Sequence, residues 1–154
     1  MPERNSSSVS ELMKGFERVC RAKGLRITHQ RTEIFHELAK FHGHPTAENV
    51  FKKVRKKLRT ISLDTVYRTI LTFENNGLIK RVQILDNVAR FDINLKVHHH
   101  LICTRCKKIE DFMWPDFDNM ELPADARGWP KIHSKHVEVR GLCSSCGAKL
   151  NSKK

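Results

Sequence analysis

Four cysteines in the last third of the chain form two C-x-x-C pairs, Cys103/Cys106 and Cys143/Cys146. A three-residue step lets two thiolates turn back onto one cation, and two such pairs supply the tetrahedral sulfur set that zinc prefers. The alternative is two disulfides, which are typical of small secreted domains. The N-terminus has no signal-peptide pattern, and the chain has enough apolar residues to form a core without disulfides. The spacing therefore predicts a structural zinc site.

A second group of metal-binding side chains, the run His98-His99-His100, lies just before the first cysteine pair. In a strand, alternate side chains point to the same face, so His98 and His100 would lie together while His99 points the other way. An imidazole pair with this i, i+2 spacing can bind one metal ion. The run is the second place in the sequence where metal chemistry is indicated.

Composition limits the classes of protein that could carry these sites. With 154 residues and 39% hydrophobic content, the chain can form one domain or two small ones. A small second domain would need additional stabilisation, such as a bound zinc ion. No run of 18 apolar residues is present, so no membrane-spanning segment is expected. The net charge of +12 suits a polyanionic partner. Residues 1–92 have 18 basic against 10 acidic residues, a net +8, and residues 93–154 have 11 against 7, a net +4. The first part is therefore the better candidate for contact with nucleic acid.

Apolar residues at helical spacing predict four helices after a polar N-terminus, residues 1–8, that we expect to be disordered. The first covers residues 9–22 and carries Cys20 on its apolar face, where a thiol most often acts as a small buried hydrophobe. The starts and ends of the other three helices are marked by caps and stops: Thr28 to His42-Gly43, Thr46 to Leu58, and Ser62 to Asn75-Asn76-Gly77.

Two alternating stretches, residues 78–85 and 88–93, follow the fourth helix and are separated by Asp86-Asn87, which predicts a β-hairpin. Three helices followed by a hairpin are typical of a winged helix-turn-helix, with the helix that begins at Ser62 as the recognition element. We therefore expect a DNA-binding domain over residues 9–92, with a hinge at its end. Residues 93–154 would form a second domain that carries the metal-binding groups.

Polar side chains near the start of the predicted recognition helix could read DNA. Arg68 can pair with guanine, and Thr65 or Tyr67 can pack on a thymine methyl group. Tyr67 could equally be a half-buried amphipathic ring. The basic run over residues 52–59 also has two interpretations, since such a run is often only a solvated helix face and it could also contact phosphate.

Four segments resemble the ferric uptake regulator family of bacterial metal-dependent repressors. They are S-L-D-T-V-Y-R at residues 62–68, H-P-T-A at 44–47, R-F-D at 90–92, and H-H-H-L-I-C at 98–103. The resemblance covers about residues 10–147. It implies an α+β chain with an N-terminal winged helix-turn-helix and a C-terminal α/β dimerisation domain stabilised by zinc on the four cysteines. It also implies a homodimer that binds palindromic operators in double-stranded DNA.

The resemblance implies a regulatory metal site made of three imidazoles and two carboxylates: His44, Asp92, His98, His100 and Asp111. Such a set suits Fe(II), Mn(II) or Zn(II), with availability deciding more than affinity. Singly, His44 could be a loop cap, Asp92 could pair with Arg90, and Asp111 could be a solvated charge. We expect His42 and His99 to be bystanders. The family pattern also assigns Arg26 to the minor groove, where the alternative is an ordinary surface charge, and Tyr67 and Arg68 to the major groove.

The subtype is indicated by departures from the iron-sensing pattern. Iron sensors usually have glutamate where this chain has Asp92 and Asp111, whereas the peroxide-responsive subtype typically has aspartate at both positions. A further site of iron sensors also looks degraded here, since Val97, His99, Asp118 and Lys135 replace a common His/Asp/Glu/His set. Against this, Arg68 after Tyr67 looks more like the iron-sensing version, because peroxide sensors often have Asn there.

The expected function is therefore a cytoplasmic, DNA-binding repressor that is not an enzyme and has no small organic substrate. Fe(II) or Mn(II) would be the corepressor, with Zn(II) as a further candidate in vitro, and peroxide would be sensed by Fe(II)-catalysed oxidation of His44 or His98. The first alternative is an iron-sensing repressor, followed by a zinc sensor and then a non-haem metal enzyme. A metal-storage or chaperone protein would leave the winged helix unexplained.

Overall fold

The computed structural model of the chain describes residues 6–82 and 88–151. The chain divides into two compact units, Met1–Leu95 and Lys96–Lys154, so the boundary falls three residues after the predicted one. The first unit contains four helices and two strands in its described part: α1 (Ser6–Ala22), α2 (His29–Lys40), α3 (Ala47–Val54), α4 (Leu63–Asn75), β1 (Lys80–Val82) and β2 (Arg90–Asp92). Within the described ranges, no helix has the length and apolar character needed to cross a membrane.

Side-chain caps fix where three of these helices begin, at the residues that the sequence predicted. The Thr28 hydroxyl accepts a hydrogen bond from the Arg31 amide at 3.3 Å, and Ser62 accepts one from Thr65 at 3.1 Å. Thr46 and Asn49 form a reciprocal capping box at the start of α3. Each cap satisfies a backbone amide that has no partner inside its own helix, so these local signals locate the helix starts well.

Two helix ends differ from the prediction. Helix α1 begins at Ser6, three residues before the predicted start, because apolar spacing marks only the buried face and does not register a polar first turn. Helix α3 ends at Val54, so Leu58 lies in the turn after the helix, although it still packs against the core. The Leu58 amide donates a hydrogen bond to the Val54 carbonyl oxygen at 2.9 Å. The predicted extension of this helix to Leu58 is therefore wrong.

The core of the first unit is centred on three phenylalanines from three helices. Phe16 and Phe35 stack with centroids 4.6 Å apart, and Phe73 meets both rings edge-on at 5.6 and 5.5 Å. Cys20 is fully buried beside this cluster, and burial raises the pKa of its thiol. A protonated, inaccessible thiol is unreactive, so Cys20 is a core residue, as its position on an apolar helix face predicted.

The wing is an antiparallel pair of strands in which Lys80 lies opposite Asp92. Arg81 on β1 donates from Nε and from a terminal guanidinium nitrogen to the two carboxylate oxygens of Glu74, at 3.1 and 2.7 Å. This bidentate pair joins the wing to the end of α4. The predicted turn at Asp86-Asn87 lies outside the described residues.

A network of charges joins α2 to the turn after α3. Glu37 is 4% exposed and lies 2.9 Å from the Lys40 ammonium and 3.2 Å from that of Lys57. Lys57 also bonds to Glu33. Burial alone would raise the pKa of Glu37, but the hydrogen bonds and charges of Lys40 and Lys57 lower it below its usual value. The ammonium of Lys57 thus lies between two carboxylates.

The second unit is built on a three-stranded sheet of order β4-β3-β5, in which β3 pairs antiparallel with β4 and parallel with β5. Its described elements are β3 (His99–Cys103), β4 (Ile109–Phe112), α5 (Pro115–Asn119), α6 (Ala124–Arg127), β5 (Glu138–Gly141) and α7 (Ser144–Asn151). The first cysteine pair spans the end of β3 and the turn that follows it, and the second spans the start of α7. The predicted α+β class, with a winged helix-turn-helix and a small α/β unit, is confirmed.

Candidate metal centres and DNA-contacting residues

The four cysteines of the two C-x-x-C pairs converge on one point at the end of β3. Their sulfur atoms all lie within 4.8 Å of one another, and none of the four forms a disulfide. The Sγ atoms of Cys106 and Cys143 are 3.7 Å apart. In a tetrahedral site with Zn–S bonds of about 2.3 Å, neighbouring sulfurs lie about 3.8 Å apart. The separation therefore fits zinc, and the alternative of two disulfides is not observed.

Backbone amides around the cluster favour metal-binding thiolates. The amides of Cys106 and Cys143 point at the sulfur of Cys103, at 3.5 and 3.4 Å. These hydrogen bonds lower the pKa of Cys103 to about 6. Burial, together with the neighbouring sulfurs, raises the pKa of Cys146. A cation at the centre of the cluster would attract all four thiolates and reverse the shift on Cys146.

The second unit also brings together His98, His100 and Asp111. The Nε2 atoms of the two imidazoles lie 3.0 Å apart, which is the separation of two ligands at right angles about 2.1 Å from one ion. Asp111 lies opposite His100 in the β3–β4 pairing, and its Oδ1 is 3.9 Å from the Nε2 of each histidine. The predicted placement of His98 and His100 on one face is confirmed.

The hydrogen bonding of His98 fixes which of its nitrogens can bind a metal. Nδ1 lies 2.8 Å from the carbonyl oxygen of Lys96, and since a carbonyl can only accept, Nδ1 carries the proton. The lone pair of the neutral ring is then on Nε2, the atom that faces His100 and Asp111. A backbone carbonyl that orients a histidine in this way is a common feature of metal sites.

His44 and Asp92 form a pair within the first unit. His44 precedes α3 and Asp92 ends β2, and the amide of Phe91 donates to the Pro45 carbonyl at 2.9 Å, which holds the two segments together. The His44 Nε2 and Asp92 Oδ2 atoms are 3.6 Å apart, and both side chains are buried. Asp92 Oδ1 also accepts a hydrogen bond from the Asn94 amide at 2.7 Å. Two of the five predicted regulatory ligands thus lie together in one unit, and the other three lie together in the other.

The residues predicted to contact DNA are on the surface of the first unit. Tyr67 is 39% exposed, and the exposed Arg68 side chain forms an i, i+4 ion pair with Asp64 at 2.9 Å. The Thr65 hydroxyl lies 2.8 Å from that of Ser62, so it also takes part in the cap of α4. Arg26 is exposed in the segment before α2. Thr65 is half-buried and the other three side chains are exposed, and the roles of all four in DNA binding are predictions.

His99 has a structural role that sequence reasoning missed. It is fully buried, its Nδ1 accepts a hydrogen bond from the Val137 amide at 3.1 Å, and its Nε2 lies 3.3 Å from Asp118 Oδ1. Phe112 and Phe117 pack on the ring, each with its centroid 5.3 Å away. These partners are distant in sequence, and the available signals were the alternation that turns His99 away from His98 and His100 and the family resemblance, which grouped His99 with Asp118.

Comparison with known proteins places these features in a family. Residues 22–140 match the model of the ferric uptake regulator family. The chain is 35% identical over 126 residues to the peroxide-responsive repressor PerR of Staphylococcus epidermidis, covering 82% of this chain and 84% of that protein. It is 37% identical over 129 residues to the peroxide operon regulator of Bacillus subtilis, covering 83% and 88%.

A solved structure supports the fold. The ferric uptake regulator Fur of Helicobacter pylori, described as having three functional metal binding sites, superposes with a TM-score of 0.75 over 96% of this chain and 97% of that one. The two sequences are 23% identical, so this likeness concerns the fold alone.

Proposed function

This chain belongs to the ferric uptake regulator family of metal-dependent repressors, and we propose that it represses transcription as a peroxide sensor with Fe(II) or Mn(II) as corepressor. The relatives in Staphylococcus epidermidis and Bacillus subtilis are both named as peroxide regulators. The observation that carries the proposal is the pair of half-sites, one in each unit, whose ligands are all nitrogen and oxygen donors. Aspartate supplies both carboxylates, as is typical of the peroxide-responsive subtype.

The proposed regulatory site is completed when one cation is bound by both half-sites. His44 and Asp92 would contribute from the DNA-binding unit, and the other unit would contribute His98, His100 and Asp111. Metal binding would then fix the two units in one relative orientation, and the free energy of that step would favour the arrangement that binds DNA. Mn(II) would support operator binding without any further chemistry.

We expect the protein to bind DNA as a homodimer in which each protomer has this arrangement of its two units. Leu101 and Val139 are register partners on β3 and β5, and they are 40% and 43% exposed. Adjacent exposed apolar side chains on a sheet are typical of a surface that is covered in an assembly. Two recognition helices related by a two-fold axis would match a palindromic operator of double-stranded DNA, with half-sites in successive major grooves.

Peroxide sensing would act through the histidine ligands. Bound Fe(II) would catalyse the cleavage of the O–O bond of hydrogen peroxide, and the two electrons that reduce the peroxide would come in net from the imidazole ring, so the iron would be left as Fe(II). The imidazole ring of His44 or His98 would gain one peroxide oxygen in place of a ring hydrogen, and the second oxygen would leave as water. An oxidised ring is a poorer donor, so the cation would be lost and repression would end.

The proposed chemistry predicts a defined product. After anaerobic loading with Fe(II) and addition of equimolar peroxide, we expect a gain of one oxygen on the peptide containing His44 or His98. Binding to a palindromic duplex, enriched beforehand from a random library by the Mn(II)-loaded protein, should be lost in parallel. The Mn(II)-loaded protein is the control and should keep both its mass and its affinity. Full operator binding with unmodified histidines would exclude peroxide sensing.

An iron-sensing repressor is the second candidate, and the observation that favours it is Arg68 after Tyr67 in the recognition helix. The same experiment separates the two functions. An iron sensor would bind the duplex with Fe(II) whether or not peroxide had been added. A zinc sensor would bind with Zn(II) at concentrations where Fe(II) and Mn(II) have no effect.

A further inference from the structure

We propose that four basic side chains at the end of α3 form a binding site for the phosphate backbone of double-stranded DNA. We call this surface the α3 basic face, and it consists of Lys52, Arg55, Lys56 and Arg59. It would add to the interactions expected from α4, and it rests on the proposed function only in that the partner is DNA. The face would contribute affinity for any duplex and no preference for sequence.

Not all of the basic run at residues 52–59 belongs to this face. Lys57 is already paired with the carboxylates of Glu33 and Glu37, and Lys53 is half-buried. The four remaining side chains are exposed, and within residues 6–82 and 88–151 none of them forms an ion pair with an acidic side chain. Their positive charges are therefore concentrated at one end of α3 and are available to an external anion.

The surface between α3 and the start of α4 is concave. A cavity of about 460 Å³ is lined by Lys52, Arg55 and Lys56 together with Phe51, Leu63 and Glu48. The guanidinium carbon of Arg55 lies 5.6 Å from the centroid of the Phe51 ring, a cation–π contact that restrains the side chain. A restrained guanidinium loses less conformational entropy when it binds a phosphate oxygen pair. The lining carries one carboxylate, Glu48, against three cations, so its net charge favours an anion.

The position of the cavity indicates which anion it would bind. Leu63 is the first residue of α4, and exposed Tyr67 and Arg68 follow one turn later on the same helix. In helix-turn-helix proteins, the start of the recognition helix enters the major groove while the preceding helix crosses the backbone. The α3 basic face would then meet phosphates that flank the groove occupied by α4. An acidic protein surface is the alternative ligand, but the position of the face beside the recognition helix favours DNA.

The salt dependence of DNA binding tests this site. Each phosphate that a cation neutralises releases counterions, so the slope of log K against log salt should fall in magnitude by about 0.9 for each phosphate that a bound protomer no longer neutralises. We expect a Lys52→Gln/Lys56→Gln double variant of the Mn(II)-loaded, full-length protein to neutralise about two fewer phosphates per protomer. The decrease in affinity should be equal on the enriched palindrome and on an unrelated duplex.

Lys57→Gln is the control, since it removes one positive charge from the same run but from a side chain that is already paired. It should lower the thermal stability of the first unit and leave the salt slope unchanged. The proposal is overturned if the double variant keeps the wild-type slope, or if its affinity decreases only on the palindrome. Whether Mn(II) strengthens wild-type binding is measured in the same titrations, so failure of the proposed repressor function would be recognised separately.

Discussion

A Cys106→Ser protein is expected to lose its zinc and, with it, the folded second unit and the dimer. The four cysteines join the end of β3 and the turn that follows it to the start of α7, which is distant in sequence. A unit of this size has a small core, and structural zinc in comparable small domains contributes on the order of 10 kcal/mol at neutral pH. Removal of one of four thiolates should therefore cost more than the unit can tolerate.

Elemental analysis, sedimentation and circular dichroism of the purified variant measure this effect. The matched control is Cys20→Ala, which changes a cysteine that is buried in the core of the first unit. We expect the control to retain one zinc per protomer and the dimeric state, with only a modest loss of stability. A Cys106→Ser protein that remained a folded, zinc-loaded dimer would contradict the structural role assigned to the cluster.

A His98→Ala protein should show the opposite pattern: intact zinc, an intact dimer and no metal-dependent DNA binding. His98 supplies the ring whose Nε2 is oriented towards His100 and Asp111 by the Lys96 carbonyl. Its loss removes one proposed ligand and leaves the cysteine cluster unchanged. Allosteric coupling is typically worth about 5- to 150-fold in affinity, and we expect the whole Mn(II)-induced gain in operator affinity to disappear.

The control for this variant is His42→Ala, because His42 is exposed and lies two residues from a proposed ligand without belonging to the set. Fluorescence anisotropy with the enriched palindrome, with and without Mn(II), compares the two proteins. His42→Ala should respond to the metal as the wild type does. An unchanged response of His98→Ala would remove the regulatory role of the His98 half-site.

The cysteine and histidine variants are expected to lose different properties, and this difference distinguishes a structural metal site from a sensing site. The zinc site is made of thiolates and belongs to one unit, so its loss acts on folding first. The proposed regulatory site would be made of imidazoles and carboxylates from two units, so its loss should act on the response to metal first. Both sets of donors are typical of metal centres, and the chemistry of the donors and the elements that carry them are the basis for the different roles that we propose.

Local signals predicted much of the fold. Each cap side chain accepts a hydrogen bond from the amide three residues later, so the starts of α2, α3 and α4 could be located from the sequence. The caps are Thr28, Thr46 and Ser62. Gly77 adopts a φ of 73°, which favours glycine and ends α4 at the predicted place. The end of α3 could not be predicted in the same way, because Leu58 remains in the core whether or not the helix continues.

Interactions between distant residues were beyond the sequence pattern. The pairing of Lys57 with Glu33 and Glu37 divides the basic run into paired and exposed members, and nothing in residues 52–59 themselves indicates that division. The burial of His99 against Asp118 also depends on the packing of a separate helix. By contrast, the grouping of His98 with His100 follows from strand alternation alone, whereas the addition of Asp111 depended on the family resemblance.

If one cation bound by ligands from both units favours the DNA-binding arrangement, then metal and DNA must strengthen each other's binding. The quantity to measure is the affinity of the zinc-loaded wild-type protein for Mn(II) in the absence and presence of the enriched palindrome. Coupling is reciprocal, so the duplex should strengthen Mn(II) binding by the same factor by which Mn(II) strengthens duplex binding, with one Mn(II) per protomer. Equal Mn(II) affinity with and without the duplex would show that the cation does not control DNA binding.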